Sequence, residues 1–374
     1  MQSSHTRRDF LTAAVGANVA LVLAPAWLRA QTDAEDPRVE RVLVDTIGID
    51  IHNHVNVNAP GARPQQGPKD QQKPQPALDL ADEIKRSGLS AVCAAFRLDF
   101  NASDPYATFL QGLDAIDGQL AKDRITRALN LNDLKTAHEK GQPTIVQSIE
   151  GAHFLEGHLD RVEAVYKRGL RHLQLLHDKG DKVTPLGDIY TEPARLGGLT
   201  AFGAAVVKEC NRLGIVVDLA HASHETVLGA LKSSNQPVIV SHTSIDTRPG
   251  KNPRMAKMMA SRLISKDHAR VVADAGGVIG VWTKLSDSMD EYVTGIKAMV
   301  DAVGIDHVGI GTDTDILSSR PGQSTNAAWP GLSGGFFKAA VAEMLRQGFT
   351  PDEIGKIGGG NFCRVFDKVT TGHA

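Results

Sequence analysis

From residue 47 to residue 312 the chain alternates between short apolar runs and stretches with the spacing of amphipathic helices. Eight such runs can be read, at 47–51, 89–96, 144–149, 170–176, 215–220, 237–241, 278–282 and 307–312. Strands this apolar are buried on both faces, which calls for a parallel sheet covered by helices. Eight is the number that closes a barrel, so the pattern predicts an α/β fold, a (β/α)8 TIM-type barrel. An open doubly wound sheet is the alternative, but no Gly-rich phosphate loop follows an early strand. The helical spacing of Tyr106, Phe109, Leu110, Leu113, Ile116 and Leu120 predicts a helix over 105–121, and similar patterns predict helices over 77–87, 132–140, 159–168, 199–213, 225–232, 266–274, 288–303, 336–347 and 351–366. A short strand at 125–129 reads as peripheral, and Val42-Leu43-Val44 as an apolar lead-in to the first strand.

The ends of these strands carry the chemistry. In a barrel of this kind the C-terminal strand ends share one mouth, which holds the active site. Here they carry His52 and His54, Glu150, His177, His221, His242 and Asp313. His52 and His54 are spaced i, i+2 and so point to the same face of an extended strand. Histidine and carboxylate ligands without thiolate suit a catalytic zinc-type site, or Mn, Fe or Co in its place. With this many ligands, two divalent ions bridged by one carboxylate, about 3.5–4 Å apart, are expected. The three cysteines, Cys93, Cys210 and Cys363, are far apart and form no C-x-x-C pair, so buried thiols are expected.

Length and charge bound the rest. The 374 residues, 41% of them hydrophobic, accommodate one barrel domain over 40–370 with loop insertions at 59–76, 178–198 and 246–264. A formal charge of −2 gives no electrostatic reason to expect nucleic acid or an anionic membrane as partner, so a small-molecule substrate is expected. Residues 1–30 read as a leader. Arg7-Arg8-Asp9-Phe10-Leu11 precedes a run of apolar and small residues, and Ala24-Pro25-Ala26 offers a cleavage site. The Arg-Arg-x-Phe-Leu core is of the bacterial twin-arginine type, so the expected partner is that export machinery and the expected location periplasmic or secreted, with no membrane span in the mature form.

Longer motifs then carry a family resemblance. Ser148-Ile-Glu-Gly-Ala-His153, Gly197-Gly-Leu-Thr-Ala-Phe-Gly203, Asn211-Arg-Leu-Gly-Ile-Val-Val-Asp-Leu-Ala-His221, Pro237-Val-Ile-Val-Ser-His242-Thr, His307-Val-Gly-Ile-Gly-Thr-Asp313-Thr-Asp315 and Gly359-Gly-Asn-Phe-Cys-Arg-Val-Phe366 resemble the membrane (renal) dipeptidase family, peptidase family M19. The resemblance extends, in the family's order, from residue 45 to 366. It implies a metal-dependent (β/α)8 hydrolase with two zinc ions. Glu150 would bridge them, His221 and His242 would complete one site, and His52 would be the first ligand of the other. It also implies Asp313 as the base that handles the proton of the bridging water and His177 as the oxyanion stabiliser. Dimerisation occurs in the family, so a homodimer is open.

The chain departs from the family pattern in two places. His54 stands where the family's His-x-Asp motif has a carboxylate, which removes one negative charge from the site and makes the ion there a stronger Lewis acid. The family's arginine for the substrate carboxylate is followed by Asn, whereas Arg254 and Arg262 are not. Counting back from Gly276-Gly277 favours Arg262, with Arg248 a further alternative. The leading expectation is a metallodipeptidase acting on dipeptides through a metal-activated water. The alternatives are a metal-dependent hydrolase of a lactone, cyclic imide or β-lactam, and a non-catalytic metal-binding protein.

Overall fold

In a computed structural model the described residues are 36–55, 57, 78–96, 102–178, 185–330, 332 and 334–372. The strands are β1 (Ile49–His54), β2 (Ala91–Ala95), β3 (Thr144–Glu150), β4 (Leu170–Gln174), β5 (Val216–Asp218), β6 (Ile239–Thr243), β7 (Val278–Val281) and β8 (Val308–Ile310). Each is parallel to its neighbour in chain order, and β1 pairs with both β2 and β8, so the eight close into a barrel. Helices fill the connections, α1 being Pro37–Asp45 and α2 Leu80–Ser87. Their starts are set by side chains that satisfy free amides: Asp79 accepts from the amide of Asp82, Ser223 from Thr226 and Ser265 from His268.

Two layers of apolar side chains hold the barrel. Ile49, Ile51, Cys93, Val146, Val216, Ile239 and Val278 are buried in one cluster with Phe362 and Phe366 of the last helix, Asn361–Thr370. A larger cluster packs the outer faces of the strands against the surrounding helices. All three cysteines are buried thiols. No helix among the described residues is long and apolar enough to cross a membrane.

The seam between β1 and β8 is polar. Buried Asp50 accepts from the Thr312 amide at 2.9 Å, the Thr312 hydroxyl at 2.6 Å and the Asn53 amide group at 2.7 Å. Burial pushes its carboxyl up to about 6, against these hydrogen bonds. Asn53 returns the tie by accepting from the Ile316 amide at 2.9 Å. Registers slip here too. Asp50 and Asn53 face Ile310 and Thr314, three residues against four, so one extra residue bulges from the eighth strand next to Asp313. Beyond the bulge the strand resumes as β9 (Thr314–Asp315), where the sequence predicts a single run to 312.

Other differences have local causes. Val42-Leu43-Val44 lies in α1, with Val39 and Val42 buried on one face and Val44 exposed; it is not an extended lead-in. The segment 125–129 forms no strand and pairs with the sheet as an isolated bridge, Arg127 to Ile145. The expected helix over 351–366 is broken into Pro351–Gly355, a wider π-type turn at Lys356–Gly360, and the last helix. The insertion at 246–264 contains a helix, Pro253–Met259, and a tight turn, Ala260–Arg262. The leader, the loop at 59–76 and residues 179–184 of the 178–198 loop lie outside the described residues.

Candidate metal centre

Glu150, the last residue of β3, is the hub. Its Oε1 lies 3.4 Å from His221 Nε2, 3.7 Å from His242 Nε2, 3.8 Å from His177 Nε2 and 3.9 Å from His52 Nε2. Its Oε2 lies 3.7 Å from His54 Nε2, and His54 Nε2 is 3.2 Å from Asp313 Oδ1. The structure thus brings together the seven strand-end residues picked out by sequence. Three sets of donors come close enough to share an ion: His52, Glu150 and His242; His52, His54 and Asp313; and Glu150, His177 and His221.

The far side of several imidazoles is occupied. The Ser241 hydroxyl is 3.0 Å from His242 Nδ1 and 3.4 Å from His52 Nδ1, and Asp178 Oδ1 is 2.5 Å from His221 Nδ1. Such outer partners orient a ring so that its other nitrogen faces the ion. The inner nitrogens of His221 and His242 are 3.0 Å apart. His52 Nε2 and His54 Nδ1 are buried with no hydrogen-bond partner among the described residues. Buried polar atoms without partners are costly, and a cation beside Glu150 would satisfy the one on His52. The donors present therefore fit a divalent metal.

The electrostatics of His52 and His242 suit metal donors. Burial, followed by the neighbouring His242, depresses His52 far below the usual imidazole range, and burial takes His242 down to about 4, so both are neutral donors near pH 7. Burial depresses His177 as well, against the pull of Glu150. His221 goes the other way: although burial opposes it, hydrogen bonds to Asp178 and Glu150 raise it to about 9. Burial would raise the carboxyls of Glu150 and Asp313, but His177 and His221 at the first, and Lys284 and His54 at the second, hold them well below the usual carboxylate range.

Backbone geometry sets the aim of two of these groups. His221 (φ 68°) and Asp313 (φ 53°) are both left-handed, an uncommon conformation for residues other than glycine. Each is held there by a main-chain bond, Tyr190 N to His221 O and Asp313 N to His52 O, both 3.1 Å. Close approach matters as well: a Cβ on Gly280 or Gly311 would lie 1.9 or 1.7 Å from the carbonyl oxygen of Ser241, the residue before His242.

Three neighbours were not among the sequence candidates. Asp178 follows His177 directly and pairs with both His221 and Arg262. Lys284 donates to the Asp313 carbonyl oxygen at 2.5 Å and lies 3.6 Å from its Oδ2. Tyr190 packs its ring 5.3 Å from that of His221. Lys284 follows the end of β7, so the strand-end criterion, extended to cations, would have found it. Of the two arginines, Arg262 is half-buried and joins the cluster through Asp178, whereas Arg254 sits exposed on the insertion helix.

Comparison with known proteins agrees with this geometry. The dipeptidase aclJ of Aspergillus oryzae is 27% identical over 246 residues, which are 62% of this chain and 53% of that protein. The chain therefore spans about half the length of that curated relative. The fold is similar to the probable dipeptidase PvdM of Pseudomonas aeruginosa (TM-score 0.71, 18% identity, 91% of this chain and 99% of that one). It is also similar to a metallopeptidase of Rhodobacter sphaeroides solved with a phosphinate mimic of the dipeptide L-Ala-D-Ala (TM-score 0.66, 18% identity, 86% and 99%). With the family description "membrane dipeptidase (peptidase family M19)" matching residues 37–374 on a barrel whose strand ends assemble a divalent-metal ligand cluster, the chain belongs to that metallopeptidase family.

Proposed function

We propose that this protein is a dipeptidase that cleaves its substrate with a water activated by two divalent ions, most readily zinc, with manganese, iron or cobalt suited to the same donors. The observation that carries the reading is the convergence of five imidazoles on one partly buried carboxylate, Glu150. Glu150 would bridge, His221 and His242 would hold one ion, and His52 and His54 the other. Bound there, the ions would lower the pKa of water toward about 7 and polarise the peptide carbonyl. Asp313, kept ionised beside Lys284, would accept the water's proton and return it to the leaving amine. His177, a neutral imidazole at the mouth, would donate to the oxygen on which charge develops. Arg262 is the candidate for the substrate carboxylate, ahead of the exposed Arg254.

The test is hydrolysis of a small dipeptide panel by purified protein loaded with zinc or with manganese. Turnover abolished by chelator and restored by metal is expected. One observation favours a second reading: His54, where the family carries a carboxylate, leaves the site less negative and its ion more electrophilic. Two bound metals without dipeptide turnover would point to a lactone, imide or β-lactam, and metal without any turnover to a binding protein. The leader supports twin-arginine export to the periplasm, and 40–370 is proposed as one catalytic domain, alone or as a homodimer.

A further inference from the structure

The arginine assigned to the substrate carboxylate already holds one from its own chain. Arg262 Nε donates to Asp178 Oδ2 at 2.6 Å, and its Nη2 contacts the same oxygen. The remaining nitrogen, Nη1, faces the Met258 carbonyl oxygen at 3.5 Å and Met259 Sδ at 3.9 Å. The other Asp178 oxygen is 2.5 Å from His221 Nδ1. With 14% of the Asp178 side chain and 29% of the Arg262 side chain exposed, the pair is only weakly screened by solvent. Its net charge is zero. An incoming carboxylate gains from Arg262 only what Asp178 gives up, and it meets the like charge of Asp178 on the way. Beside this pair the Tyr190 hydroxyl is buried without a hydrogen-bond partner among the described residues. That leaves an uncharged group able to donate to, or accept from, a neutral polar end.

We propose that Asp178 is an internal counter-carboxylate that sets specificity: the site takes substrates whose leaving amine carries no free carboxylate, such as C-terminally amidated dipeptides, as readily as free dipeptides. The inference rests on the dipeptidase reading for the bond cleaved, but not for the charge preference. Asp178→Asn separates the two functions of this side chain. The amide keeps an oxygen to accept from the Nδ1–H of His221, while losing the charge that holds Arg262. Released, the guanidinium can take a carboxylate through its planar fork.

The experiment compares glycylglycine with glycylglycinamide on metal-loaded protein, with metal content checked by elemental analysis. For the native chain the two kcat/KM values are expected within about threefold of each other. In Asp178→Asn the ratio should shift at least about tenfold toward the free acid, mainly through KM, because a charge-assisted contact has been released. Adding Arg262→Gln to that variant should cancel the shift. A native enzyme that strongly prefers the free acid, with a ratio that Asp178→Asn leaves unchanged, overturns the proposal. If neither compound is cleaved the dipeptidase reading fails, and binding then decides: N-acetylglycine against N-acetylglycinamide, titrated by NMR. Asp178→Asn should bind the acid about tenfold more tightly than the native chain does, and no gain would overturn the inference.

Discussion

At the scale of single residues, Asp313 and Glu150 are both carboxylates in one cluster, yet their surroundings differ in a way that suits the separate roles proposed for them. Glu150 faces imidazole nitrogens on every side, whereas Asp313 contacts one imidazole and one ammonium group and is the more exposed of the two. Replacing Asp313 with Asn should therefore leave metal content near that of the native chain and lower kcat by about 10²–10⁴-fold, the usual contribution of a positioned general base. Glu150→Gln should instead empty the site, which elemental analysis of the purified variant can check. His52, Glu150, His221 and His242 can be read from sequence as candidate ligands because ligand chemistry restricts residue type and the strand ends restrict position. Asp178 could not be read in this way: its importance comes from Arg262, 84 residues away, and only the folded chain brings the two together. Lys284 is a cation and not a metal donor, so its residue type does not mark it.

Among the elements, the strands were predictable to within a few residues because both of their faces are buried, which leaves unbroken apolar runs. Where a segment buries one face only, three apolar residues in a row do not distinguish strand from helix, which is why Val42-Leu43-Val44 reads as a lead-in to the strand yet lies in α1. The break in the last predicted helix arises at three consecutive glycines, Gly358 to Gly360, where a Cβ on Gly359 would lie 2.0 Å from the Ile47 carbonyl oxygen. The bulge before β9 has no signal of its own, since it follows from pairing with β1 on one side only. Gly311 tests how tightly these elements are fitted. Gly311→Ala places a methyl group 1.7 Å from the Ser241 carbonyl oxygen, so β6 or β8 must move. A loss of about 1–3 kcal/mol in denaturant-derived stability is expected, together with weaker metal retention as His242 shifts.

For the whole molecule, the barrel has no sheet edge, and its ligands come from strands spread over most of the chain. A site of that kind forms only when the barrel is complete. Export by the twin-arginine route, which carries folded proteins, would let the chain acquire its metal before crossing the membrane. Changing Arg7 and Arg8 to Lys should therefore leave a metal-loaded precursor in the cytoplasm with its leader intact. Cell fractionation and immunoblotting would show it, and unchanged periplasmic delivery would remove the twin-arginine assignment.

The polar seam described above also bears on the order of synthesis. Asp50 and Thr312, the two halves of that closure, are separated by 262 positions, and Phe362 and Phe366, which share a buried cluster with Ile49 and Ile51, come later still. As the chain leaves the ribosome, β1 therefore waits for its second neighbour until nearly every other element has been made. Contacts between such distant positions slow folding and prolong the exposure of unpaired strands. The strand that brings two of the five histidines to the centre is thus made 262 positions ahead of the residue that secures it, so the candidate metal site is complete only after that later segment has been made.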